Sequence, residues 1–321
     1  MVSIQKIRNN KEREVRLSFS ELRGNERIKE LLIESVKSNN ILHSYMFYGT
    51  DGIGKKIFAT EFAKMILCES ENKPCNNCKS CIEFESGNNP DFFMIVPEKG
   101  TIKIEQIREM QRNIIEKPTH CTKKIYIIDD ADKMTKEAQN CLLKTLEEPS
   151  EFIVIILICS NENYMLPTVK SRCTKIFFEG LSNQELMKFI KEKNSDVNFN
   201  ESMIQLCCGS ISKSIDVIEK YSILESTQEI VEELFTCDEL VCMQKSQFFN
   251  DNKEDIELLL EYMYVIFSKK INNANIIACA NCMKYIQNAK NKLLYSNNFD
   301  MTIDEMLMKV WGEINEKNNR S

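Results

Sequence analysis

The stretch that most constrains this chain is Gly49-Thr50-Asp51-Gly52-Ile53-Gly54-Lys55-Lys56. Tyr45 to Tyr48 lead into it as a buried strand would, and Ala59, Phe62, Ala63 and Ile66 leave it on one face of a helix. Strand, glycine-rich turn and helix, in that order, form the setting of a phosphate-binding loop. Gly49, Gly52 and Gly54 permit a turn tight enough for backbone N–H groups to converge on one anion. The helix N-terminus adds the positive end of its dipole, and Lys55 adds a charge for the outer phosphates.

One position departs from the pattern G-x-x-x-x-G-K-[ST]. Lys56 stands where the motif places a hydroxyl that ligates Mg²⁺. An ammonium cannot ligate a cation, and at ~5 Å from Mg²⁺ it would be repelled by several kcal/mol at an effective dielectric of ~20. It could instead swing out to solvent, and the ligand would still be missing. The loop therefore suits phosphate better than metal-assisted hydrolysis, and a nucleotide, ATP or ADP, is left open as its occupant.

A second acidic feature belongs with it. Lys124 to Ile128 reads as a buried strand ending in Asp129-Asp130-Ala131-Asp132. In a nucleotide site of this type Asp129 is the acid that holds the metal, and the next acid, usually Glu, orients the attacking water. Asp130 is one methylene shorter, and a misplacement of ~1 Å can cost about a hundredfold in rate.

The chain has 321 residues and 14 cysteines, with a net charge of −6. Its charged N-terminus (Lys6, Arg8, Lys11, Arg13) lacks the apolar core of a secretory signal, and Phe152 to Cys159 is too short to span a bilayer. A cytoplasmic, reducing setting follows, in which cysteines bind metal or pack rather than cross-link. The acidic balance excludes a general basic footprint for nucleic acid. Two histidines, His43 and His120, leave little room for histidine catalysis.

Cys68-x6-Cys75-x2-Cys78-x2-Cys81 is the cysteine pattern with metal spacing. Two CxxC steps share Cys78, and four thiolates fill a tetrahedral Zn²⁺ shell at ~2.3 Å, so the site would be structural, with no open position. Cys279-x-x-Cys282 lies in a helical pattern with no second pair nearby and reads as packing.

The remaining pattern divides the chain. Residues 1–17 lack apolar periodicity and read as a loose arm. Phe19 to Asn40 reads as a helix with Ile28, Leu31, Leu32 and Val36 inward, after a turn at Gly24. Strands at Phe92–Val96, Lys124–Ile128, Phe152–Cys159 and Thr174–Phe178 alternate with helices, which gives a parallel sheet covered on both faces. Thr135 is a plausible N-cap, and Pro149 ends the helix it opens. After Gly180 the spacing becomes helical throughout. Ser182-x-x-Glu185 and Thr302-x-x-Glu305 read as capping boxes, and Cys208-Gly209 as a helix end. Ile256, Leu259, Leu260, Met263, Ile266 and Phe267 form one apolar face. The fold class is α/β, then all-α.

Taken together, His43-Ser44-Tyr45, the glycine loop, the four-cysteine knuckle, Leu142 to Pro149 and Ser171-Arg172-Cys173 resemble, in that order, the AAA+ clamp-loader subunits of bacterial DNA polymerase III. The resemblance runs from about Phe19 to the C-terminus. It implies an AAA+ domain over 1–180 with the zinc knuckle at 68–81, a helical lid over 181–224, and a helical collar over 225–321 that oligomerises the ring. The motor of that family, gamma/tau, has Thr after the loop lysine, Asp-Glu on the acidic strand and Arg on the lid helix. This chain has Lys56, Asp129-Asp130 and Ser212 at those places and resembles the delta-prime type instead. The resemblance then implies a stator with little ATPase of its own, built into a hetero-pentamer with gamma/tau and delta. That complex loads the sliding clamp on primed DNA. Arg172 would be the finger that reaches a neighbouring gamma/tau ATP site; a planar guanidinium suits the charge on a transferring phosphoryl group. The alternatives are an active ATPase of gamma/tau type and a zinc-dependent nucleic-acid-binding module.

Overall fold

The computed structural model describes residues 23–194, 197–271, 276–295 and 298–315. The expected arm at 1–17 and the expected helix start at Phe19 lie outside them. The chain divides into two units between Leu181 and Ser182.

The first unit opens with α1 (Glu26–Lys37), after Gly24 and Asn25 at positive φ. Leu32 and Val36 face inward as expected, but Leu31 is 52% exposed. The expected turn at Gly24 is present, and the helix follows it from Glu26. There follow β1 (Ser44–Tyr48), α2 (Lys55–Leu67), α3 (Lys79–Glu85), β2 (Phe92–Ile95), α4 (Ile104–Ile114) and β3 (Lys124–Ile128). Next come α5 (Lys136–Glu147), β4 (Ile153–Cys159), the single turn α6 (Pro167–Lys170) and β5 (Thr174–Phe177). All strand pairs are parallel, in the order β2-β3-β4-β1-β5.

Both faces of the sheet are covered, which is why the strands read as unbroken apolar runs. Successive residues point to opposite faces. Tyr45, Phe47, Ile125, Ile127, Ile156 and Ile158 pack with α1 and α2 residues such as Leu32, Phe58 and Phe62. Met46, Tyr126, Ile128, Ile155 and Leu157 pack with Ile107, Met110, Ala138 and Leu142 of α4 and α5. Because β1 lies between β4 and β5, the loop after β1 emerges beside the ends of its neighbours, with Tyr48 opposite Cys159 and Phe177. That edge of an open parallel sheet is where ligands bind.

The second unit is helical: α7 (Asn183–Lys193), α8 (Glu201–Cys207), α9 (Ile211–Glu219), α10 (Tyr221–Glu233), α11 (Glu239–Asp251), α12 (Ile256–Lys269), α13 (Ile276–Tyr295) and α14 (Phe299–Asn315). The capping box at Ser182 forms: its hydroxyl accepts from Glu185 N, and the Glu185 carboxylate accepts from Ser182 N. The one expected at Thr302 does not. Thr302 lies inside α14 with its hydroxyl donating to Asn298 O, and Glu305 is held by Lys292 and Lys309. Asn298 takes the capping role instead, accepting from Met301 N at 3.4 Å. Asparagine is as strong a cap as any, and here it sits one turn earlier. On α12, Leu259, Leu260, Met263, Ile266 and Phe267 are buried, while Ile256 is only half-buried. Tyr262 joins them, with its hydroxyl satisfied by Asn200 and Gln228 at 2.9 Å each. Among the described residues, no helix is long and apolar enough to cross a membrane.

Candidate functional site

The glycine loop takes the shape its sequence suggests. Gly49 has φ +148°, and a Cβ there would meet Phe178 O at 2.3 Å. Phe178 N donates to Tyr48 O, so the end of β5 is drawn against the loop and only glycine fits. Gly54, at φ +95°, is the N-cap of α2. Asp51 Oδ1 accepts from Gly52 N at 2.9 Å.

Lys55 is 4% exposed. Its ammonium donates to Gly49 O and Thr50 O at 2.7 Å each and to Ser160 Oγ at 3.4 Å. Burial pushes its pKa below the ordinary amine value, and nearby Asp51 acts against that shift. Ser160 comes from the end of β4, where Asp132 Oδ2 accepts from Ser160 N and Asn161 N. Asp132 thus ties the turn after β3 to the end of β4 beside the loop. Its place in the Asp-Asp-Ala-Asp run was visible in the sequence, but its partners, some 28 residues on, were not.

Lys56 does not swing away. Its Nζ lies 3.5 Å from Asp129 Oδ2, with the Asp129 side chain 17% exposed. Burial raises the Asp129 carboxyl above the usual range, and the Lys56 ammonium opposes the rise. Asp130 is at φ +49°, and its Oδ2 accepts from Lys133 at 2.8 Å, so its carboxylate is engaged within its own turn. Mg²⁺ demands near-octahedral oxygen ligands. The hydroxyl ligand is absent from the loop, and the carboxylate that would face the ion faces an ammonium. The donor set does not fit magnesium. It suits phosphate better: a glycine-required turn and a helix N-terminus carry two successive lysines.

The four knuckle cysteines come together. Their Sγ atoms all lie within 4.8 Å of one another, a set that could hold a metal ion. Cys68 ends α2, and Cys78 caps α3, which carries Cys81. The N–H groups of Cys75, Cys78 and Cys81 point at Cys68, Cys75 and Cys78 sulfurs at 3.3–3.5 Å. Backbone N–H groups of Asn77 and Cys78 pull the Cys75 thiol down to about 6. Beside the knuckle, the fully buried Asp91 accepts from the N–H groups of Thr119, His120 and Cys121 at 2.7–2.9 Å.

Arg172 lies elsewhere. Its carbonyl accepts from Ser44 Oγ at the start of β1, whereas the glycine loop follows the end of that strand. Four residue rises of ~3.3 Å separate the two ends by about 13 Å. The guanidinium pairs with Glu147 at 2.6 Å and donates to Thr168 O at 2.9 Å. Spacing gave no hint of Glu147 as its partner. In the second unit, Ser212 sits in the first turn of α9, and its neighbour Lys213 is held by Glu261 of α12. Cys279 and Cys282 are buried, the latter donating toward Val310 O.

Residues 24–182 match the family model described as "DNA polymerase III, delta subunit". DNA polymerase III subunit delta' of Bacillus subtilis (strain 168) is 33% identical over 194 residues, 60% of this chain and 58% of that protein. DNA polymerase III subunit gamma of Buchnera aphidicola is 31% identical over 210 residues, 63% of this chain and again 58% of the relative. The chain thus spans less than two thirds of either relative's length. A solved gamma subunit-related protein of Thermotoga maritima, 18% identical, superposes with a TM-score of 0.52 over 88% of this chain and 99% of that one, which shows a shared fold. Over residues 24–182, about half of its length, the chain is thus similar in sequence to clamp-loader subunits of DNA polymerase III.

Proposed function

We propose that this chain is a delta-prime-type stator of a DNA polymerase III clamp loader. It joins gamma/tau and delta subunits in a hetero-pentamer that loads the sliding clamp on primed DNA in the cytoplasm. It lends Arg172 to the ATP site of a neighbouring gamma/tau subunit. The observation that carries the proposal is the contrast between its two charged centres. Lys56 sits on Asp129 where a hydrolytic site needs a metal, and Arg172 stands at the far end of β1 from the chain's own loop. A guanidinium placed there cannot serve its own phosphates; it suits a neighbour's. Residues 181–224 serve as the lid and 225–321 as the collar. The knuckle cysteines Cys68, Cys75, Cys78 and Cys81 hold a structural Zn²⁺, whose filled shell leaves nothing for chemistry.

The test is reconstitution. The isolated chain should show negligible ATPase. The complex carrying Arg172→Ala should assemble normally, and hydrolysis at the neighbouring gamma/tau site should fall about 10³-fold, as removal of an arginine finger does. A complex that hydrolyses ATP at the wild-type rate with that substitution would end the proposal.

A second reading has two observations behind it. The loop frame and Lys55 of an active gamma/tau-type ATPase are intact, and a gamma subunit is nearly as similar as delta'. Turnover by the lone chain that disappears with Lys55→Ala would establish it.

A further inference from the structure

The glycine loop keeps two of the three things that hold a nucleotide's phosphates and has changed the third. Its frame is enforced, because Phe178 O leaves no room for a side chain at Gly49. Its first lysine is in place, with Lys55 buried inside the turn on two backbone carbonyls. Those carbonyls are neutral acceptors. A phosphate oxygen is charged and makes the stronger bond to an ammonium, so Lys55 is poised to exchange them. The third component, a divalent cation beside the acid of β3, has been replaced in kind: Lys56 Nζ lies 3.5 Å from Asp129 Oδ2.

We infer that Lys56, held on Asp129, takes the part of the divalent cation, so that the loop binds the polyphosphate of a nucleotide without Mg²⁺. A Lys56–Asp129 pair is neutral overall, while Asp129 with Mg²⁺ would carry one positive charge. The pair therefore leaves the site without repulsion between Lys56 and a second cation, and its ammonium brings N–H donors that a phosphate oxygen accepts from. With its side chain 41% exposed, Lys56 is covered by Asp129 and still open to solvent. The ammonium carries one charge and cannot bridge two phosphate oxygens as a metal does. The nucleotide is held and not turned over. This goes beyond the stator role, which needs no nucleotide on this subunit, and the two can fail separately: loader ATPase tests one and ligand binding the other.

The experiment titrates the full chain, stripped of nucleotide, with fluorescent N-methylanthraniloyl ADP and ATP in excess EDTA and in excess MgCl₂. The expected dissociation constants agree within about threefold between the two buffers. Inorganic tripolyphosphate should displace the probe. Lys56→Thr, which restores the motif hydroxyl, should bind about tenfold more weakly in EDTA, the loss of one charge-assisted contact, and regain affinity on adding Mg²⁺. Lys56→Arg keeps the charge and should retain binding in EDTA, which separates loss of charge from loss of fold. A tenfold or greater tightening of the unmodified chain by Mg²⁺ would overturn the inference. So would absence of saturable binding in both buffers, failure of tripolyphosphate to compete, or Lys56→Thr binding in EDTA as tightly as the unmodified chain.

Discussion

The glycine loop and the cysteine knuckle stand at the two ends of α2, and both have the spacing of an ion site. They have been treated in opposite ways. At the loop the cation is built in, with Lys55 on carbonyls and Lys56 on Asp129. At the knuckle four sulfurs converge with no ammonium among them, and backbone N–H groups point at the sulfurs of Cys68, Cys75 and Cys78. Spacing records how a backbone turns; the charges inside the turn decide what it can hold. On the reading proposed above, the loop is a frame that needs no metal, whereas the knuckle is a set of four sulfurs that could hold one.

The largest expected effect lies on the knuckle side. If zinc is what closes residues 68–81, its removal takes away on the order of 10 kcal/mol of local folding energy, since α3 has only seven residues. Elemental analysis should give one Zn²⁺ per chain. Strong chelation or Cys78→Ser should open this segment to protease while the sheet core stays protected. A segment that resists protease equally with and without metal would remove the contrast altogether.

On the loop side the effect is smaller and of a different kind. Gly49→Ala puts a Cβ against Phe178 O in a backbone region closed to L side chains, and should cost about 2–4 kcal/mol in denaturant unfolding. Gly100→Ala is the control. It too has positive φ, but nothing lies within 4 Å, so it should cost only about 1 kcal/mol. Equal losses at the two positions would mean that the loop's shape is not enforced by β5.

How much of this could be read in advance depends on range. The loop, the knuckle, the apolar strands and the caps at Thr135 and Ser182 are local patterns, and local chemistry fixes them. The cap at Thr302 misled because two good caps, Asn298 and Thr302, lie four residues apart and pattern alone cannot rank them. Strand order is not local: nothing in β1 itself says that β4 and β5 flank it. Nor are the pairs that define the site. Lys56 meets Asp129, and Arg172 meets Glu147, only once the sheet has assembled. The sequence could say that Lys56 spoils a metal site, and the fold was needed to say what Lys56 does there.

Asp91 links the knuckle to the sheet and sharpens the contrast further. It accepts three N–H groups of residues 119–121, and Cys121 in turn touches Ser80 Oγ and Leu67 O at 3.3–3.4 Å. Asp91→Asn turns an NH₂ toward one of those donors and should cost about 1.5–3 kcal/mol of stability. Metal content should stay at one per chain, because no ligand is touched. Loss of metal with this substitution would mean that the knuckle is held by its surroundings and not by its own sulfurs.

The smallest expected effect comes from the other CxxC. Cys279 and Cys282 have the same spacing as a knuckle step, but they lie on α13, where residues three apart share one helical face. A helix directs both sulfurs into the packing: Cys279 is 3% exposed, Cys282 is fully buried, and burial lifts the Cys282 thiol to about 12. Among the described residues, the only group with metal-ligand geometry is the knuckle. Cys279→Ala and Cys282→Ala should therefore each cost about 1 kcal/mol as a small core truncation, additive within error of a thermal melt, with zinc per chain unchanged. Zinc lost from the double variant would show that spacing alone had been the better guide at both places, and the distinction between turn and charge would have to be given up.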